Sequence, residues 1–133
     1  IQPGAKPVLV RHTWDYHLRL PEFLDWLARV ERAGTPLSNP AAAMRWNADK
    51  RYLLELAARG VAIPPTVFAA RGESAPDARE LAHRLGTTQA VVKPAVAASA
   101  WRTQRVDLAD DAALVSALAE AAQDAPAIVQ AFL

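Results

Sequence analysis

A chain of 133 residues, 52% of them hydrophobic, is long enough to form one domain with its own core. Its formal charge of +1 and its 22% charged residues, with no basic run, give no electrostatic footprint for nucleic acid. The absence of cysteine excludes disulfides and thiolate metal sites, and no stretch approaches the ~20 apolar residues of a membrane helix or has the form of a signal peptide, so a cytoplasmic setting without a membrane partner is expected.

Residues 7–10 form a short apolar run after a Gly/Pro-containing lead, which predicts a buried strand. Pro21 suits the first turn of a helix on which Leu20, Phe23, Leu24, Leu27 and Val30 fall at helical spacing, and Gly34 is placed to end it. Thr35-Pro36-Leu37-Ser38-Asn39-Pro40 is loop chemistry, because each proline disfavours helix for the residue before it. A short helix over 41–46 would carry Trp46. Asn47 reads as the N-cap of a second helix running to about Arg59, with Gly60 at its end.

Pro64-Pro65 leads into a strand at 66–69, and Pro76-Asp77 starts an amphipathic helix with Leu81, Ala82 and Leu85 inward, closed by Gly86. Residues 90–93 read as a strand stopped by Pro94, and 94–105 as an unpatterned loop. Asp110 starts a helix to about Ala122, and Pro126 introduces a last strand ending in Ile128-Val129-Gln130-Ala131-Phe132-Leu133. Alternating helices and strands define the class as α/β (α+β). Because the chain opens on Ile1 and Leu133 falls inside an apolar run, a segment of a longer protein is expected, with its boundary near residues 34–40.

Two lysines stand out. Lys50, four residues into a helix capped by Asn47, would lie near backbone N–H groups that attract anions; the alternative is a solvated lysine on an exposed face. Lys93 ends an apolar strand and needs an anion or a path to water, unless it guards a sheet edge. The loop 97–103 offers Ser99, Arg102 and Thr103 to phosphates, but without glycine it does not signal a backbone nest, and a plain surface loop fits as well. Gln130 shares a strand face with Ile128 and Phe132, which suits either the rim of an adenine slot or a satisfied core amide. Arg11 to His17 crowd polar and aromatic groups after the first strand, where α/β proteins bind ligands, although Arg11 and Asp15 could simply pair and Trp14 and Tyr16 could simply pack. His12 and His17 lack a metal-ligand spacing, and no P-loop, nucleophile-elbow or zincin motif occurs.

The order of several short stretches resembles the ATP-grasp superfamily, in the glutathione-synthetase-like branch that includes the cycloserine-biosynthesis cyclo-ligase. These stretches are Val10-Arg11-His12-Thr13-Trp14-Asp15-Tyr16, Asn39-Pro40, Arg45-Trp46-Asn47-Ala48-Asp49-Lys50, Pro65-Thr66, Val91-Val92-Lys93-Pro94 and Val129-Gln130-Ala131-Phe132. The resemblance implies that residues 1–36 end a Rossmann-like pre-ATP-grasp domain and that 37–133 begin the ATP-grasp fold. It implies an ATP site in which Lys50 and Lys93 are the nucleotide lysines, Ser99 and Thr103 belong to a flap over the phosphates, and Gln130, Phe132 and Leu133 form the hinge beside adenine. Arg11 and Asp15 would lie near the acceptor substrate. The implied activity is a ligase joining a small-molecule carboxylate to an amine or related nucleophile through an acyl phosphate, with a homo-oligomer left open. Mg²⁺ would neutralise the transferring phosphoryl group, and its ligands are expected past Leu133, so the segment alone is expected to be inactive. A small-molecule phosphotransferase on the same scaffold and a non-catalytic interaction domain are the rival readings.

Overall fold

The computed structural model describes residues 6–11 and 13–133; His12 and the Gly/Pro-containing lead lie outside the described residues. Five helices, α1 (Leu20–Arg32), α2 (Ala41–Asn47), α3 (Tyr52–Ala58), α4 (Ala78–Leu85) and α5 (Asp111–Ala121), accompany four strands, β1 (Thr66–Ala69), β2 (Gln89–Pro94), β3 (Gln104–Asp107) and β4 (Ala127–Ala131). The strands form one antiparallel sheet in the order β1-β4-β2-β3. This mixed architecture agrees with the class read from the sequence.

Strand alternation divides the sheet into two chemically distinct faces. Val67, Ala69, Ala90, Val92, Val106, Ala127, Val129 and Ala131 join Leu81 and Leu85 of α4 and Leu114, Ala117, Leu118 and Ala121 of α5 in one continuous core. The opposite face carries Thr66 and Phe68 of β1, Val91 and Lys93 of β2, and Ile128 and Gln130 of β4. This is the polar-bearing face, and Lys93, Gln130 and Thr66 on it are partly buried.

Local chemistry sets the helix ends. Asp77 accepts from the amides of Arg79 and Glu80, Asp110 accepts from Ala113, and Gly86 ends α4 in the left-handed region at φ 69°. Pro21 occupies the first turn of α1, as its fixed φ favours.

Four expectations need correction. Residues 7–10 do not form a buried strand: Val8 makes a single parallel bridge to Leu37, and Val8 and Leu9 are 36% and 54% exposed. One partner on one side leaves the run uncovered. Asn47 is not an N-cap but the last residue of α2, and α3 starts only at Tyr52. Asp49 supplies the local acceptor instead, taking the Arg51 amide at 2.9 Å. Pro94 does not stop β2 but lies within it, opposite Ala127. Finally, the presumed loop 94–105 runs into β3, an edge strand whose single buried side chain, Val106, gives almost no apolar pattern.

Candidate functional site

Lys93 lies on an interior strand, between β4 and β3, which removes the edge-guard reading. Its Nζ donates to Gln130 Oε1 at 2.8 Å. Gln130 is diagonal to it across the β2–β4 ladder, since Lys93 faces Ile128 and Val91 faces Gln130. The Gln130 amide in turn donates from Nε2 to Thr66 Oγ1 at 2.9 Å, and the Thr66 hydroxyl donates to the Pro64 carbonyl at 2.6 Å. Gln130 is therefore a bonded amide on a half-buried face, and it is also the neutral partner of a lysine.

Lys50 sits in the turn between α2 and α3, not inside a helix. Its amide donates to Ala95 O at 2.9 Å, and its Nζ donates to Ala97 O at 2.6 Å. Tyr16 Oη donates to the same carbonyl at 3.4 Å. The turn is thus docked, through backbone and side chain together, onto the segment that leaves β2. Burial pushes the Lys50 ammonium below the ordinary lysine range, the Lys93 charge pushes it further, and Asp49 opposes. Burial likewise lowers Lys93. Among the described residues neither ammonium has an ion-pair partner at salt-bridge distance. Two half-buried cations that feel each other and touch only neutral oxygens form a site short of negative charge.

Beyond Ala97 the loop adopts left-handed backbone without glycine. Ser99 and Ala100 have φ of 52° and 56°, and Trp101 N donates to Ala98 O at 3.0 Å, which closes a turn with both central residues at positive φ. Arg102 follows at φ 49°. Such residues each cost on the order of 1 kcal/mol and need surroundings that hold them. Here Trp101 is held: the His17 ring lies 5.0 Å from it, the Arg102 guanidinium sits 4.0 Å over its face, and Arg102 pairs with Asp124 at 2.9 Å. Ser99 is exposed, while the Thr103 hydroxyl is partly buried and 3.5 Å from Trp101 O.

The remaining candidates are dispersed. Asp15 pairs with Arg19 at 2.5 Å, not with Arg11, and that guanidinium holds its carboxyl below the usual range. Arg11 is exposed. Phe132 and Leu133 follow β4 and are 43% and 87% exposed, with the Arg105 guanidinium 4.1 Å over the Phe132 ring. Sequence reasoning did not single out Thr66 or Tyr16 as partners of the lysines. The signals for Thr66 were its place after two prolines and the Pro65-Thr66 stretch of the family resemblance. Tyr16, marked in the sequence only within the cluster Arg11 to His17 and the resemblance stretch that ends on it, reaches its partner over 81 residues, which no local pattern announces.

The ammonium groups touch amide and carbonyl oxygens, and Asp49, the carboxylate that acts on Lys50, is held by Arg51, a donor set that does not suit Mg²⁺. Among the described residues no three His, Asp or Glu side chains gather as metal ligands.

The mixed fold with its four-stranded antiparallel sheet is similar to solved ATP-grasp structures. A RimK domain ATP-grasp protein from Sphaerobacter thermophilus overlays with a TM-score of 0.68 at 22% identity, over 96% of this chain and 45% of its own, a likeness of fold. More specifically, the chain is similar to D-cycloserine synthetase DcsG. Residues 3–39 match the family described as the N-terminal domain of that synthetase. The crystal structure of DcsG overlays with a TM-score of 0.80 at 32% identity, covering 96% of this chain and 43% of its own. The cycloserine biosynthesis protein DcsG of Streptomyces lavendulae is 42% identical over 89 residues, which are 65% of this chain and 29% of that protein. The chain thus spans less than a third of the curated relative it matches. The ATP-grasp resemblance read from the sequence holds, in the cycloserine-synthetase direction.

Proposed function

We propose that this chain supplies the nucleotide-facing front of an ATP-dependent ligase, in which Lys50 and Lys93 bind the phosphates of ATP and the 97–103 loop lies against them. Residues up to about 36 belong, on this reading, to the preceding substrate domain, and 37–133 to the ATP-grasp domain. The observation that carries the proposal is the uncompensated charge of the two lysines. A polyphosphate is the kind of anion that two ammonium groups on a rigid sheet and a docked turn would neutralise. The likeness to D-cycloserine synthetase supports a carboxylate–amine (or related) ligation, with the carboxylate activated as an acyl phosphate. The lysines' part in that chemistry would be to neutralise charge on the transferring phosphoryl group, and Gln130 and the residues after it would flank the base. Mg²⁺, which such chemistry uses, receives no ligand cluster from the residues described.

Calorimetric titration of the full-length parent with Mg-ATP tests the reading. Lys93→Ala is expected to weaken binding by about 1–3 kcal/mol, the size of a lost charged hydrogen bond. Equal affinity in parent and variant would remove Lys93 from the site.

A further inference from the structure

A lysine ammonium can only donate, so the atom of Gln130 that faces Lys93 must be the amide oxygen. That requirement propagates. With Oε1 turned to Lys93 at 2.8 Å, the Gln130 NH₂ faces Thr66 Oγ1 at 2.9 Å, and the hydroxyl must receive it as an acceptor. The single Thr66 hydroxyl hydrogen then goes to the Pro64 carbonyl at 2.6 Å. Every donor in this row points one way, from Lys93 through Gln130 and Thr66 to the Pro64 carbonyl.

The anchor is well made. Pro64 and Pro65 have fixed φ and carry no amide hydrogen to compete for the carbonyl. Thr66 stands directly opposite Gln130 in the β1–β4 ladder, so the two side chains meet without reaching. As a β-branched residue Thr66 also has few χ1 states, which fixes its hydroxyl.

Resting on the function proposed above, we propose that Thr66 is a positioning residue for the phosphate lysine: it locks the Gln130 amide with its oxygen towards Lys93 and thereby fixes where that ammonium is presented. In this role Thr66 acts through Gln130 and not on the ligand. Without its hydroxyl the amide loses its tether to β1, keeps only the Lys93 bond among those described, and can swing with the ammonium. Lys93 then loses its rest position.

The experiment uses the full-length protein with Thr66→Val, which keeps the shape and β-branching but removes the hydroxyl, and Thr66→Ser, which keeps the hydroxyl. The first readout needs no nucleotide: the rate at which an amine-acylating reagent modifies Lys93, followed by peptide mass spectrometry with the exposed Lys6 as the internal standard. Thr66→Val is expected to change that rate about threefold or more and Thr66→Ser by less than about twofold, on the scale of one neutral hydrogen bond. The second readout is Mg-ATP affinity, expected to fall about tenfold in the valine variant and to stay within about twofold in the serine variant, again one to two hydrogen bonds' worth. Valine and serine variants with equal Lys93 reactivity would overturn the inference. A parent that binds no Mg-ATP would overturn the proposed function instead, while the ordering of Lys93 reactivities would still decide the role of Thr66.

Discussion

The two lysines of the site belong to regions built in different ways. The sheet unit, residues 66–131, has an uninterrupted core between four strands and two helices, and Lys93 is fixed within its ladder. The helical lead, residues 16–60, buries only Leu27, Ala41 and Ala48 below the surface, and its helices carry exposed side chains such as Trp46 and Leu54. Ion pairs and ring contacts hold it: Arg45 with Glu31, Trp46 Nε1 on Glu55 at 2.8 Å, and Trp46 against Tyr52 at 4.7 Å. Lys50 depends on this lighter structure and on the Ala95 and Ala97 carbonyls. One cation is therefore set by packing and the other by docking, and they should respond differently to the same perturbation.

The largest expected contrast is in stability. Leu114→Ala, in the sheet core at 1% exposure, should cost about 2–5 kcal/mol in urea unfolding, whereas Leu54→Ala, at 50% exposure, should stay within about 0.5 kcal/mol. Similar losses from both would mean the lead is as tightly packed as the sheet. Next in size, Asp49→Ala removes the acceptor of the Arg51 amide and should cost about 0.5–2 kcal/mol. Its effect should be local, with faster hydrogen exchange at the Lys50 amide and unchanged exchange in β2 and β4. Uniform acceleration would erase the distinction between docked and packed lysines.

A smaller gain is expected from Ala100→Gly, which relieves a left-handed alanine at φ 56° and should stabilise by about 0.5–1 kcal/mol after the entropy of the unfolded glycine is subtracted. A loss of stability there would mean the turn is not left-handed in solution.

The smallest effect is the alkaline slope. Lys50 and Lys93 have folded pKa values below their unfolded ones, so the folded chain binds fewer protons, and stability rises as pH climbs from the lowered values towards about 10.5. Tyr16, which shares the Ala97 carbonyl with Lys50, has its pKa raised chiefly by burial, so it keeps its proton longer when folded and opposes that rise above about pH 10. Lys50→Met should flatten the rise that approaches pH 10.5, and Tyr16→Phe should remove the opposing fall above about pH 10. A Lys50→Met slope equal to the parent's would place Lys50 in free solvent.

The same contrast explains what the sequence made legible. α1, α4 and α5 were readable because local rules agree there: Pro21, Asp77 and Asp110 open them, Gly34 and Gly86 close two of them, and apolar spacing fills the middle. The lysines and Gln130 were visible as polar residues in unexpected places. Their relation was not, because Lys93 meets Gln130 only through the register of strands 37 residues apart. Asn47 misled because its preference for helix starts is overridden: it ends α2, and the chain turns through Lys50, which is docked on the Ala95 and Ala97 carbonyls, before α3 begins at Tyr52. The glycine-free loop misled in the other direction. Left-handed turns there are held by Trp101 and its neighbours, which no local preference announces.

One feature of the topology bears on how such a molecule is born. β4 follows the other three strands in sequence, yet it lies inside the sheet, between β1 and β2. On a ribosome, β1 and β2 emerge with no partner on the sides that β4 will fill, and α4 and α5 have nothing complete to cover. Only when β4 inserts are both ladders closed, and in the same event Gln130 joins Thr66 to Lys93 across separations of 64 and 37 residues. A nascent chain stalled before residue 127 would present two open strand edges at once, the surface on which neighbouring chains pair.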